Sequence, residues 1–149
     1  MVEKVKEVMR KDVAKIEANK TVLDAARLIT EKRVGCVIIT SGIRSIGIVT
    51  ERDLVSRVLA EPFDPSKVLV KDIATTPLFW ISPEQTIKEA AELMVKYRIR
   101  RLPVIEKDAL VGIITANDLA STIADKEQDK ELIARALTRN RPPPHGIYG

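Results

Sequence analysis

An internal self-match is the feature that most constrains how this chain can fold. Sliding the sequence against itself without a gap pairs residues 5–58 with residues 70–123 and gives 14 identities in 54 positions. Roughly 3 would be expected by chance, so the chain contains an internal duplication. The two copies must fold alike, and each has about the length of one small structural unit.

Apolar spacing predicts a helix near the middle of each copy. In the first copy Val22, Ala25, Ala26 and Ile29 follow the i, i+3, i+4, i+7 pattern of an amphipathic helix. The second copy repeats this pattern at the equivalent positions. A Thr-x-x-acid capping pair precedes each stripe. The predicted helices are residues 21–33 and 86–98, capped by Thr21 with Asp24 and by Thr86 with Glu89.

Short β-branched runs predict two strands after each of these helices. A further apolar stretch precedes each helix, a second helix follows each strand pair, and a helical turn introduces each copy. The predicted strands are 36–40, 46–50, 102–105 and 110–115; the preceding stretches are 13–16 and 78–81; the second helices are 51–60 and 116–125; the turns are 5–9 and 70–73.

The predicted fold class is therefore α/β (α+β), with two tandem β-α-β-β-α repeats. Prolines mark a connector between the copies. The segment after Lys126 is expected to be helical, and the Pro-rich end to be an extended, exposed tail. The predicted boundaries are 4–60 for the first repeat, 61–68 for the linker, 69–125 for the second repeat and 126–149 for the C-terminal helix and tail.

Composition argues against catalysis. The chain has one cysteine and one histidine, so no internal disulfide, thiolate metal cluster or Ser-His or Cys-His pair can form within the repeats. Cys36 lies in an apolar run and is expected to be a buried thiol, and His145 lies in the tail. We therefore predict no enzyme activity, no catalytic residue, no catalytic cofactor and no metal site.

The N-terminal residues lack the apolar stretch of a signal peptide, and no apolar segment approaches the roughly 18 residues of a membrane span. A cytoplasmic protein without a membrane partner is expected.

One motif occurs where the second strand of each copy turns into a helix. Thr50 and Asp53 stand three residues apart, as do Thr115 and Asp118. Two interpretations are open. Each pair can be a helix cap that satisfies amide donors at the helix start. Alternatively, the carboxylate can accept hydrogen bonds from the vicinal hydroxyls of a ribose, with the threonine hydroxyl beside the sugar or phosphate.

The ordered set of features resembles a pair of cystathionine-β-synthase-type (CBS) domains of the stand-alone prokaryotic type. The resemblance rests on the tandem β-α-β-β-α repeat, on Gly-h-h-Thr-x-x-Asp (h is apolar) at 47–53 and 112–118, and on Arg-Leu-Pro-Val-Ile at 101–105. It covers roughly residues 4–125. It implies two repeats packed about a pseudo-twofold axis, with two clefts that bind AMP, ADP, ATP or S-adenosylmethionine, and a regulatory role without catalysis.

The resemblance also assigns ligand-binding roles to individual residues. The first repeat departs from the pattern, with Gly35 and Cys36 in place of two arginines and Ile38 in place of Pro103, so it lacks the arginine pair that would contact a phosphate. The implied contacts are Asp53 and Asp118 for the ribose, Thr50 and Thr115 for the sugar and phosphate, and Arg100 and Arg101 for the phosphate. The backbone around Ala14–Ile16 and Phe79–Ile81, which includes Lys15, Ile16 and Ile81, would meet the adenine edge, and Trp80 can stack on the base.

Several alternatives remain open at this level. Arg100 and Arg101 can equally be a flexible exposed pair, and Trp80 can serve core or interface packing rather than base stacking. A sequence pI near 9.3 and a basic tail allow an accessory nucleic-acid-binding role or a protein-interaction role. An aromatic content of 3% argues against single-strand stacking. The resemblance implies a homodimer, and a regulatory module needs an effector protein, which the sequence does not identify.

Overall fold

The computed structural model describes residues 3–122 and 127–137, which form an α+β structure. The helices are α1 Val5–Val8, α2 Val22–Lys32, α3 Glu51–Leu54 continued by a π-helical turn Val55–Leu59, α4 Val70–Ile73, α5 Ile87–Tyr97, α6 Ala116–Thr122 and α7 Glu127–Leu137. The strands are β1 Lys15–Glu17, β2 Cys36–Ser41, β3 Arg44–Thr50, β4 Arg101–Glu106 and β5 Ala109–Thr115.

Both central helices begin and end as their sequences predict. Thr21 and Thr86 are the N-caps of α2 and α5, and each forms a reciprocal capping box with the acid three residues later. Each helix ends on an arginine in the left-handed conformation, Arg33 with φ 55° and Arg98 with φ 56°. These C-caps are equivalent positions of the two copies, so the duplication extends to the backbone of the helix ends.

The two β-hairpins share one register. Cys36 pairs with Thr50 at one end of the β2/β3 hairpin, and Arg101 pairs with Thr115 at the same place in the β4/β5 hairpin. Both ladders shift register at equivalent positions, after Ile39 and after Val104. The two predicted strand pairs are therefore confirmed, and each strand is one or two residues longer than predicted.

The strand before each helix differs between the copies. In the first, β1 pairs in parallel with β2, and the Ile38 amide donates to the Ala14 carbonyl at 2.9 Å. In the second, the equivalent of Ile38 is Pro103, which has no N–H to donate. The pairing there is reduced to a single parallel bridge between Ile81 and Val104.

The chain divides into two compact units that do not follow the sequence repeats end to end. The first-repeat unit comprises residues 13–78, and the second-repeat unit comprises residues 3–12 together with the described residues from 79 onward. The entry segment of each repeat thus packs with the other repeat's strands. Accordingly, Arg10 forms an antiparallel β-bridge with Ile113, and Thr75 forms one with Ile48.

Each unit has its own apolar core. In the second-repeat unit α7 packs against α5 and α6, and Ile133 and Ala136 are buried. The first-repeat core is built from α2 and the sheet: Ala14, Ile16, Val22, Ala25, Ile29, Val37, Ile39, Val49, Val58, Val70 and Ile73. Cys36 is buried, as expected.

The N-terminal segment, residues 3–12, is bound closely within the second-repeat unit. The Val5 amide donates to the Gln85 carbonyl at 2.8 Å. Lys4 and Lys6 reach the two carboxylate oxygens of Glu84 at 2.8 and 2.9 Å. The hydrogen bond from Lys4, and after it that from Lys6, lowers the pKa of Glu84 to about 2. The segment is thus held by backbone and charged contacts.

The predicted second helices are present with one local difference. In the first repeat the helix changes from α to π geometry at Val55; there the Ser56 hydroxyl donates to the Arg52 carbonyl at 2.8 Å, a side-chain bond that competes with the helical ladder. The end predicted for the other helix at 123–125, the tail from 138 and His145 lie outside the described residues. The helix predicted after Lys126 is α7.

Candidate functional site

The first Thr-x-x-Asp motif lies where β3 passes directly into α3. Thr50 is the N-cap, and its hydroxyl accepts from the Asp53 amide at 3.2 Å. In return, Oδ2 of Asp53 accepts from the Thr50 amide at 2.9 Å. Both side chains are buried. The capping interpretation is therefore confirmed at this motif, and it occupies one oxygen of the carboxylate.

The second oxygen of Asp53 faces an arginine on the same helix. Arg57 Nε lies 3.8 Å from Asp53 Oδ1, and an Nη of Arg57 donates to the Ile73 carbonyl at 2.7 Å. The π-helical turn carries this arginine, and turns of this kind frequently occur at functional sites. Asp53 is thus a buried acceptor whose charge is offset by one half-buried cation.

The second motif repeats the cap but recruits a different arginine. Oδ2 of Asp118 accepts from the Thr115 amide at 2.9 Å, and the Thr115 hydroxyl accepts from the Asp118 amide at 3.2 Å. Oδ1 of Asp118 accepts from Arg10 Nε at 3.1 Å. This arginine comes from the N-terminal segment, 108 residues away in sequence, so the site combines that segment with the second repeat.

Arg100 and Arg101 lie beside this second motif. Arg101 pairs with Thr115 in the β4/β5 ladder, and the Arg100 carbonyl accepts from the Ala116 amide at 2.8 Å. Both side chains are half-buried. The backbone thus brings the arginine pair next to Thr115, at the end of β5 where Asp118 follows.

The residues assigned to the adenine edge divide into exposed and buried members. Lys15 is exposed and Ile16 is buried on β1. Trp80 is 52% exposed, so it is not a core residue within this chain, whereas the adjacent Ile81 is fully buried. The Ile81 amide donates to the Pro103 carbonyl at 3.0 Å. Neighbouring Phe79 stacks on Tyr97 with ring centroids 4.3 Å apart.

Sequence reasoning missed Arg10 and Arg57, which face the two aspartates, and Thr75, which occupies the position equivalent to Arg10. Arg57 stands four residues after Asp53, so helical spacing could have revealed it. Arg10 and Thr75 are brought in by the exchange of entry segments, which no local pattern reports. The sequence offers one signal for Arg10 and Thr75, which is that they occupy equivalent positions in the two copies of the duplication.

The described part of the chain contains neither a metal-ligand cluster nor a candidate membrane span. No cluster of three or more histidine, cysteine, aspartate or glutamate side chains is arranged to hold a metal ion among residues 3–122 and 127–137. Within the same ranges, no helix combines the length and the apolarity needed to cross a membrane.

The fold and the duplicated motif define a class of regulatory, ligand-binding domain pair. The CBS domain family model matches residues 5–60 and again residues 70–125. The chain therefore belongs to the CBS domain family and carries two tandem copies. The resemblance noted in the sequence is confirmed.

Several known proteins are similar to this chain. The CBS domain-containing protein YhcV of Bacillus subtilis is 33% identical over 117 residues, which cover 78% of this chain and 82% of that protein. The hexameric CBS-CP12 protein of bloom-forming cyanobacteria is 35% identical, with a TM-score of 0.75, and the match covers 88% of this chain and 71% of that one.

A third structure, the CBS domain pair of protein MJ0100 in complex with 5′-methylthioadenosine and S-adenosyl-L-methionine, has the same fold, with a TM-score of 0.76 at 22% identity, over 85% of this chain and 100% of that one. The chain spans about three fifths of the length, 59% and 61%, of two archaeal relatives from Methanopyrus kandleri and Methanocaldococcus jannaschii that are 36% and 35% identical to it.

Proposed function

We propose that this CBS pair is a cytoplasmic regulatory module that binds adenine nucleotides at its two Thr-x-x-Asp motifs and performs no catalysis. The observation that carries the proposal is the pair of carboxylates, Asp53 buried and Asp118 half-buried, each with one oxygen fixed by its cap. A carboxylate held in this way is pre-organised to accept hydrogen bonds from a ribose diol through its other oxygen.

The contacts within each unit support this proposal. Thr50 and Thr115 stand beside the carboxylates, and Arg100 and Arg101 adjoin the second motif, where a phosphate would be bound. In this scheme Lys15, Ile16, Trp80 and Ile81 contribute the adenine contacts. The MJ0100 pair binds two adenosine compounds, which supports the ligand class without selecting one member. S-adenosylmethionine is the alternative ligand.

The absence of catalysis is also part of the proposal. Asp53 and Asp118 each have an arginine beside them and one oxygen that accepts the capping hydrogen bond. This arrangement fixes the position of each carboxylate. Neither motif provides the nucleophile and general base that acyl or phosphoryl transfer requires. The signal would pass to an effector protein of unknown identity.

Ligand binding should raise the melting temperature. A ligand that binds the folded state at one hundred times its Kd adds about 2.7 kcal/mol per site. For a chain of this size, this gives a rise of about 5–10 °C. Differential scanning fluorimetry with AMP, ADP, ATP and S-adenosylmethionine measures it. Inosine monophosphate, which keeps ribose and phosphate but alters the base edge, is the control. An unchanged Tm with all four adenosine ligands would refute the proposed function.

We also propose that the chain forms a homodimer through an exposed apolar face of the first-repeat unit. Val55 and Leu59 are 58% and 70% exposed, and Phe63 nearby is 52% exposed. A second copy would bury them. Light scattering should give twice the chain mass of 16.6 kDa. Val55→Glu with Leu59→Glu should give a folded monomer, and a wild-type monomer at micromolar concentration would contradict the proposal.

A further inference from the structure

Residues 10 and 75 occupy the same backbone position in the two units but carry different side chains. Arg10 exchanges two backbone hydrogen bonds with Ile113, both of 2.9 Å, and Thr75 exchanges two with Ile48, of 3.0 and 3.3 Å. Ile113 and Ile48 are themselves equivalent positions of the duplication. Ile113 and Ile48 lie on the strands that end in the two Thr-x-x-Asp motifs. Residues 10 and 75 therefore have the same backbone pairing beside the two motifs but carry different side chains.

Arg10 brings a positive charge to the second-repeat motif with hydrogen-bonding capacity to spare. Its side chain is 70% exposed, and its Nε donates to Asp118. A guanidinium has five N–H donors in a planar fork suited to phosphate. Among the described residues, Asp118 is the one hydrogen-bond partner of this guanidinium. A ribose bound at Asp118 would compete for Oδ1, and a phosphate on the same ligand would give Arg10 a new partner.

Thr75 provides no such charge to the first-repeat motif. It is 1% exposed, and its hydroxyl oxygen has no hydrogen-bond partner in the described part of the chain. A buried hydroxyl without a partner is unfavourable, and a polar ligand group that reached it would relieve this cost. Such a group can be a sugar hydroxyl as readily as a phosphate, so Thr75 itself does not require a charged ligand.

The remaining charges increase the difference between the two motifs. Arg100 and Arg101 adjoin the second motif, whereas Gly35 and Cys36 stand at the equivalent positions of the first. Arg57 does face Asp53, but it also donates to the Ile73 carbonyl at 2.7 Å and is only 22% exposed. Its charge is therefore held against Asp53 and is poorly placed to bind a phosphate instead.

We propose that Arg10 makes the second-repeat site selective for phosphorylated adenosine ligands. The first-repeat site, with Thr75 at that position, binds unphosphorylated adenosine as well as it binds a phosphorylated ligand. This inference rests on the proposed function, because it concerns the ligands of the same two motifs. The N-terminal segment thereby supplies a specificity-determining side chain.

Site-resolved titration of the whole chain tests this inference. The amide NMR signals of Thr50 and Thr115 report separately on the two motifs during titration with AMP and with adenosine. The variants are Arg10→Thr, which copies the first repeat, and Arg10→Lys, which keeps the charge. Arg44→Thr, on an exposed strand position, is the control with the same change in net charge.

Arg10→Thr should raise the Kd of AMP at Thr115 about tenfold, the loss expected for a charge-assisted contact to phosphate. The Kd of adenosine there should stay within about twofold or fall, since Arg10 no longer competes for Asp118. Arg10→Lys should recover part of the AMP affinity, and both Kd values at Thr50 should stay within about twofold.

Equal changes in the AMP and adenosine Kd values, or an unchanged AMP Kd, would overturn the role of Arg10 while leaving the proposed function intact. A wild-type protein that binds neither compound at either amide would overturn the proposed function and this inference together.

Discussion

Replacing Asp118 with asparagine should weaken AMP binding at the second-repeat site about tenfold to a hundredfold. Asparagine keeps the size and can still cap through one oxygen, but it loses the charge and the second acceptor. Hydrogen bonds to a charged group contribute about 1.5–3 kcal/mol. We expect a larger loss of AMP affinity from Asp118→Asn than from Asp53→Asn, because Arg10, Arg100 and Arg101 adjoin the second motif.

The two aspartate variants serve as matched controls for each other. Each should weaken binding at its own motif and leave the other motif within about twofold, as followed by the amides of Thr115 and Thr50. If the carboxylates act only as caps, each variant should lose up to about 1 kcal/mol of stability and bind AMP like the wild type. That result would contradict the ligand role of these residues.

Placing a methyl group at Gly112 should destabilise the fold by about 1–3 kcal/mol, the cost of overpacking. A Cβ there would lie 2.6 Å from Met9 Sδ and 2.9 Å from the Arg10 carbonyl oxygen. The methionine side chain can move aside, but the carbonyl belongs to the paired backbone of the N-terminal segment. Gly112→Ala should therefore loosen that segment and its contact with Asp118.

Gly47 is the matched position in the first-repeat unit. A Cβ there would lie 3.0 Å from Thr76 Cγ2 and 3.1 Å from the Thr75 carbonyl oxygen, so Gly47→Ala should cost less than Gly112→Ala. Urea unfolding at equilibrium measures both losses. Equal stabilities for wild type and Gly112→Ala would contradict the close approach of the N-terminal segment to β5.

Most of the helix and strand structure could be predicted because its causes are local. Thr21 and Asp24 are three residues apart, and their capping box marks the start of α2. The hairpins likewise pair neighbouring runs across short turns. The reduction of one pairing to the Ile81–Val104 bridge was also readable in principle, because Pro103 lacks an amide proton.

The composition of the sites could be predicted only in part. The caps at Thr50 and Thr115 follow from local spacing, and both are confirmed. Arg10 could not be assigned to Asp118, because 108 residues separate them and the pairing depends on which strand the N-terminal segment joins. The repeat pattern places that segment with the first repeat, whereas its backbone partner, Ile113, belongs to the second.

Calorimetric titration of the wild-type chain with AMP, ADP, ATP and S-adenosylmethionine is the most direct test that the two Thr-x-x-Asp motifs bind adenosine ligands. We predict saturable binding of at least one of the four, with no more than two molecules per chain. The Asp53→Asn, Asp118→Asn double variant should lose this binding at temperatures where it stays folded. Failure of the wild type to bind any of the four, or undiminished binding by the folded double variant, would contradict the account.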